Sequence, residues 1–199
     1  MKKSIFAILF LCSMTALTAA AKEKLSSKGS QDFTFVRVTT NHGSFDVALD
    51  RKLAPITSTN FLNYADAGFF NNMLFHRLVK GFVIQTGILD VNLQPKQPLL
   101  PQILSEANNG LKNLKGTLAM GRQNDNPNTA TCQFFINTAD NSRLDHKGET
   151  PETYGYAVFG QVVSGIEVVE EIENSAVHAI PDFASFPVKP VIIEKIERL

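Results

Sequence analysis

From Phe33 to Thr40 apolar and polar residues alternate, as in a half-buried strand, and residues 44–49 alternate again after Asn41-His42-Gly43. Strand, tight turn, strand is the expectation. Pro55 opens a helical pattern through Ala67, with Ile56, Phe61, Leu62 and Ala65 as its apolar stripe and Gly68 as its stop. Residues 75–86 predict two strands bent near Gly81. Residues 88–110 lose periodicity and contain Pro95, Pro98 and Pro101; a loop of that length is usually functional or mobile. Short strands are expected at 117–120, 133–137 and 156–163. Residues 164–174 predict a second amphipathic helix with Ser164 as N-cap, and 190–198 a closing strand. No internal repeat or second domain is visible. Many short strands with two helices point to a mainly β chain, closed into an antiparallel barrel with helical caps.

Two segments put polar side chains among large apolar ones on these strands. In QFFIN (133–137), alternation places Phe134 and Ile136 on a uniformly apolar face that belongs in a core. The opposite face carries Gln133, Phe135 and Asn137, amides around an aromatic ring. FHRLVKGFVIQTG (75–87) repeats the arrangement: Val83 and Gln85 share one face, Phe82 and Ile84 the other, and Arg77 lies just upstream. Such a set can hold an apolar ring while bonding the amide beside it, as a proline-peptide site requires.

The bulk numbers narrow the classes. The chain has 199 residues, 44% of them apolar, with 15 Phe and no Trp, so any core or aromatic pocket depends on Phe. Residues 1–21 read as a signal peptide: Lys2 and Lys3, an apolar stretch over 5–17, then Thr18-Ala19-Ala20-Ala21, with cleavage expected after Ala21. The apolar run is too short to span a bilayer comfortably. Export follows, to the periplasm or alternatively to the medium, with no membrane association after cleavage. Residues 22–32 are polar and form a flexible lead-in, leaving 33–199 as the domain. Formal charge is zero for the whole chain and about −2 without Lys2 and Lys3, so nucleic acid is not an expected partner. Cys132 is then the only cysteine; no internal disulfide is expected, and a packed small residue is the reading. His42, His76, His146 and His178 show no metal-ligand spacing. His42 reads as a turn residue and His146 and His178 as surface loop residues. Alternation points His76 away from Arg77, as a packed, hydrogen-bonded side chain. Asp145 reads as a loop brace, and Glu167, Glu170, Glu171 and Glu173 as a solvated face of the second helix.

The segments FHRLVKGFVIQTG, GTLAMGR, ATCQFFIN, LDH and YAVFGQVVSG, in this order, closely resemble the cyclophilins, which are peptidyl-prolyl cis–trans isomerases. The resemblance covers nearly all of residues 33–199. The EANNGLKN and YAVFG stretches look like the bacterial exported, periplasmic group. The resemblance implies an eight-stranded antiparallel β-barrel capped by two helices, no cofactor or metal, and proline-containing polypeptides as substrates. It implies that Arg77 is the catalytic arginine and Gln85 the peptide-binding glutamine beside it. Phe82, Val83, Phe135 and Leu144 would form the proline pocket, with Gln133 as a second polar contact. The backbone of Gly121 and Arg122 would pair with the residues before proline. The chain departs from the family pattern in four places. Val83 stands where Met is frequent, Gly121 where Ala is common, and Tyr156 where many members carry a pocket His. Arg143 replaces a Trp that helps bind cyclosporin, so weak binding of that drug is expected.

Two rivals to an enzyme remain at this level. The groove could hold Pro-containing segments with little turnover, as a chaperone or scaffold. The barrel could also be an inert surface protein, which leaves the Gln85–Gln133–Phe135 surface unexplained. Arg77 favours the enzyme, because simple capture of a proline ring does not require it. A monomer is the default, since nothing in the sequence argues for an oligomer.

Overall fold

The computed structural model describes residues 32–199; the expected signal peptide and nearly all of the lead-in lie outside the described residues. Strand β1 (Phe33–Thr40) and β2 (Gly43–Asp50) pair in full register, from Phe33 opposite Asp50 to Thr40 opposite Gly43. Helix α1 (Pro55–Asp66) follows, then β3 (Met73–Val79), β4 (Val83–Asp90), β5 (Thr117–Met120), β6 (Phe134–Asn137) and β7 (Val158–Ser164). Helix α2 (Ile166–Glu173), a hairpin of β8 (Val177–Ile180) and β9 (Phe183–Pro187), and β10 (Ile192–Arg198) complete the chain. Eight strands close an antiparallel barrel in the order β1-β10-β3-β4-β6-β5-β7-β2. Closure leaves the barrel itself no unpaired sheet edge; the β8–β9 hairpin forms a separate two-stranded sheet. Phenylalanine fills the interior as the composition requires: the Phe61 ring lies 5.2 Å from Phe70, 5.2 Å from Phe134 and 5.3 Å from Phe159.

Several local expectations change. Ile56 is exposed, outside the buried face of α1 that carries Thr57, Ser58, Phe61, Leu62, Tyr64 and Ala65. The start of α1 has no side-chain cap of its own. Instead Glu106 accepts from the Ile56 and Thr57 N–H groups at 3.0 and 2.8 Å and from the Thr57 hydroxyl at 2.6 Å. A carboxylate here satisfies free amide donors and opposes the positive helix end. Ser164 does not cap α2; it ends β7, and Gly165 takes the N-cap position at φ 76°. A Cβ at Gly165 would stand 2.6 Å from the Ser44 carbonyl oxygen, so the strand-to-helix turn admits only glycine without rearrangement.

The segment after Gly87 is less irregular than expected. β4 continues to Asp90, and Leu89 is buried. The rest is fastened to the barrel: the Leu100 N–H donates to the Tyr64 hydroxyl at 3.0 Å, and Lys96 Nζ donates to the Phe69 carbonyl at 2.6 Å. The β8–β9 hairpin has no counterpart in the periodicity reading, and it puts His178 on a strand rather than in a loop. Its Phe183 and Phe186 pack outside β3 and β4, against His76 and with Leu74 and Leu89.

Candidate functional site

Four neighbouring strands place the predicted residues side by side. In the barrel register Arg77 of β3 lies opposite Gln85 of β4, Gln85 opposite Phe135 of β6, and Phe135 opposite Ala119 of β5. Plain alternation would put Arg77 on the same face as Phe75, inside the barrel. The β3–β4 register slips between Phe75 and Arg77, so two residues of β3 face one step of β4. Such a bulge turns the following side chain to the other face. Phe75 and Leu78 therefore point into the core, while both His76 and Arg77 lie outside it. His76 goes toward the hairpin and Arg77 toward a cavity. The separation expected from simple alternation is thus produced by a bulge.

The cavity has a volume of about 380 Å³. Of the predicted residues, Arg77, Phe82, Val83, Gln85, Gly121, Arg122, Phe135, Leu144 and Tyr156 line it. Phe82 and Val83 both reach it because Phe82 sits in the turn before β4, where strand alternation does not apply. Gln133 lies just behind: Gln85 donates through Nε2 to Gln133 Oε1 at 3.1 Å and accepts from Arg77 at 3.5 Å. The glutamine pair thereby fixes which way the Gln85 amide faces. Gly121 takes part in this arrangement, since a Cβ there would stand 3.0 Å from the Gln133 Cβ.

Asn137 does not belong to the site, although it shares a strand face with Phe135. It is fully buried, donates to Thr117 Oγ1 at 2.9 Å, and accepts from Asn141 at 2.8 Å. It braces the loops beside the cavity, as does Asp145, which accepts the Asn113 N–H at 2.8 Å. Three of the four acidic residues of α2 are likewise engaged: Glu170 pairs with Lys115, Glu171 with His42, and Glu173 accepts the Gly81 N–H. Asn124 lines the cavity and was missed; it lies in a polar, non-periodic stretch with nothing to distinguish it.

The polar groups have distinct settings. Burial, and then the like charge of Arg143, pull Arg77 below its ordinary pKa, yet a guanidinium stays charged at any accessible pH. The Arg122 side chain is tied back. It donates to the carbonyls of Gly155, Gln123, Asn124 and Pro151 and covers the Tyr156 ring at 4.8 Å. Tyr156 in turn meets Phe135 edge-on at 5.6 Å. Burial and then the neighbouring Arg77 charge push His76 down to about 4, against a backbone hydrogen bond to Leu74, and its buried Nδ1 has no hydrogen-bond partner among the described residues. Burial raises the Cys132 thiol, which donates to the Gly87 carbonyl at 3.2 Å. Among the described residues no group of three or more His, Cys, Asp or Glu is placed to hold a metal ion, and no helix is long and apolar enough to cross a membrane.

A recess walled on one side by Phe82, Val83, Phe135 and Leu144, with a fixed amide pair and a guanidinium beside them, suits a small saturated ring joined to a peptide bond. Comparison with known proteins agrees. Residues 35–198 match the family described as cyclophilin type peptidyl-prolyl cis-trans isomerase/CLD. The chain is 38% identical to peptidyl-prolyl cis-trans isomerase A of Dickeya dadantii over 97% of its own length and 95% of the relative's. It is 44% identical to peptidyl-prolyl cis-trans isomerase B of Escherichia coli, over 79% and 94%. A crystal structure of a Cryptosporidium parvum cyclophilin type peptidyl-prolyl cis-trans isomerase superposes with a TM-score of 0.69 at 26% identity, over 84% of this chain and 98% of that one. The barrel and the sequence matches together show that the chain belongs to the cyclophilin family of peptidyl-prolyl cis–trans isomerases.

Proposed function

We propose that this isomerase is exported to the periplasm and turns X–Pro bonds in unfolded or partly folded exported proteins, non-covalently, with Arg77 stabilising the twisted prolyl amide. The amide resists rotation by about 18–20 kcal/mol because nitrogen shares its lone pair with the carbonyl. Cis and trans X–Pro forms are close in energy but exchange in roughly tens to hundreds of seconds. In the twisted state conjugation is lost and the prolyl nitrogen regains a basic lone pair. A donor aimed at that nitrogen gains strength only there, which is the requirement for catalysis.

The observation that carries this reading is the Arg77–Gln85–Gln133 chain at the mouth of a recess walled by Phe82, Val83, Phe135 and Leu144. The recess would hold the ring while the preceding carbonyl turns. Gln85 and the backbone at Gly121 and Arg122 would hold the flanking amides. A charge-assisted hydrogen bond contributes roughly 1.5–3 kcal/mol, or about ten- to a hundredfold in rate. The test is NMR exchange of a short X–Pro peptide with wild type and Arg77→Ala. The expected result is fast exchange in the wild type and a loss of about ten- to a hundredfold in the variant, with peptide binding kept. Equal loss of binding and turnover would make Arg77 a binding residue.

Export rests on the signal-like residues 1–21. Cell fractionation and N-terminal sequencing of the mature protein test it, with Lys22 as the expected first residue. The protein is taken to act as a monomer. It is taken to bind cyclosporin weakly, because Arg143, 4.1 Å over Phe82, offers no indole at that wall.

A further inference from the structure

Phe82 has two guanidinium groups beside it. Arg143 Cζ lies 4.1 Å from the ring centroid and Arg77 Cζ 5.5 Å. A cation over a ring face is attracted by the negative π-surface. That contact holds the exposed Arg143, on the short 3₁₀ turn Ser142–Leu144, at the rim of the cavity.

The charge held there is uncompensated. Among the described residues Arg143 pairs with no carboxylate and its guanidinium makes no hydrogen bond. The other two site cations are committed: Arg77 is half-buried on Gln85, and Arg122 donates to four carbonyls. No acidic residue lines the cavity. The like charge of Arg143 also weighs on Arg77. An exposed arginine is ordinarily a solvated one, but this one is fixed against the ring-pocket wall with its donors free.

We infer that Arg143 is a specificity-determining residue that selects substrates with an acidic side chain in the one or two positions after proline. The inference rests on the isomerase reading above, which runs the residues before proline along Gly121 and Arg122. With the ring in the pocket, the chain after proline then leaves past Phe82 and Leu144, next to Arg143. A carboxylate arriving there meets a planar donor fork suited to it. It also offsets the repulsion between Arg77 and Arg143.

The test uses the intact mature protein and short peptides carrying Glu, Gln or Lys either directly after proline or two residues before it. Affinity by NMR titration and isomerisation rate by exchange are both read. With Glu after proline, affinity should exceed that of the Gln peptide by about two- to fivefold, the size of an exposed ion pair, and Lys should be weakest. Salt should reduce the ratio, since screening shortens from about 10 Å at 0.1 M to about 3 Å at 1 M. Arg143→Gln should bring the Glu-to-Gln ratio to about one, and Arg143→Lys should keep part of it because charge remains while the planar stack is lost. Equal affinity for Glu and Gln peptides in the wild type overturns the inference. So does a preference that survives Arg143→Gln, or one confined to positions before proline. Failure of the wild type to speed exchange of the neutral Gln peptide would instead overturn the isomerase reading, while the affinity ratio still decides the role of Arg143.

Discussion

Strands β4 and β6 carry similar side chains on their two faces and put them to opposite uses. On the inner face Ile84, Phe134 and Ile136 are fully buried, and the Phe134 ring sits edge-on to Phe61 at 5.2 Å and to Phe70 at 5.4 Å. On the outer face Val83 and Phe135 are almost as buried, at 2% and 5% exposure. Yet they wall an open recess, and Phe135 meets a single ring, Tyr156. Burial alone therefore does not separate core from site. The difference is completeness of contact: the inner rings are surrounded, whereas Phe135 keeps one side open to the cavity.

Paired truncations would break or sharpen that contrast most strongly. Phe134→Ala should cost about 3–5 kcal/mol of stability by leaving a closed cavity. Phe135→Ala should cost about 1–2 kcal/mol, because one side already lacks packing, while abolishing most peptide binding. Denaturant melts with peptide titrations of both variants test this; equal stability losses would remove the distinction between the faces.

His76 provides the next effect, on the hairpin side of β3. Its pKa is lowered to about 4 by burial and by Arg77, so the unfolded chain binds the proton more tightly. Stability is then complete above about pH 6.5 and falls as pH drops toward 4, by on the order of 3 kcal/mol. In His76→Leu this acid-dependent loss should disappear from urea melts at pH 4, 5, 6 and 7. A loss of unchanged size would place it on other groups.

The smallest effect is a flat line. No histidine, cysteine or carboxylate lines the cavity, and His76, at about 4, lies below the neutral range. The exchange rate at saturating enzyme should therefore stay nearly constant between about pH 6 and 8. A steep bell would show that proton transfer takes part.

Much of the site was legible because it rests on local rules. The period of two in QFFIN separated Phe134 and Ile136 from Gln133 and Phe135, and the barrel keeps that separation. Asn137 was misplaced because alternation assigns a face but does not say what covers it; here Asn113, Thr117 and Asn141 do. Ser164 failed as a cap because Gly165 was needed against the Ser44 carbonyl, a contact distant in sequence. The β8–β9 hairpin escaped notice because its strands are short and largely exposed, so little hydrophobic period marks them.

The sequence by itself determined the eight barrel strands, the two helices, the phenylalanine core and the family, but not the β8–β9 hairpin, since periodicity and spaced motifs are properties of neighbouring residues. Only the tertiary structure decided which face of each segment came to line the cavity. The β3 bulge turns Arg77 outward, the strand register aligns it with Gln85 and Phe135, and Glu106 reaches from a distant loop to cap α1. Each depends on residues brought together by barrel closure. A pattern read along one strand cannot express a slip of one residue against its partner.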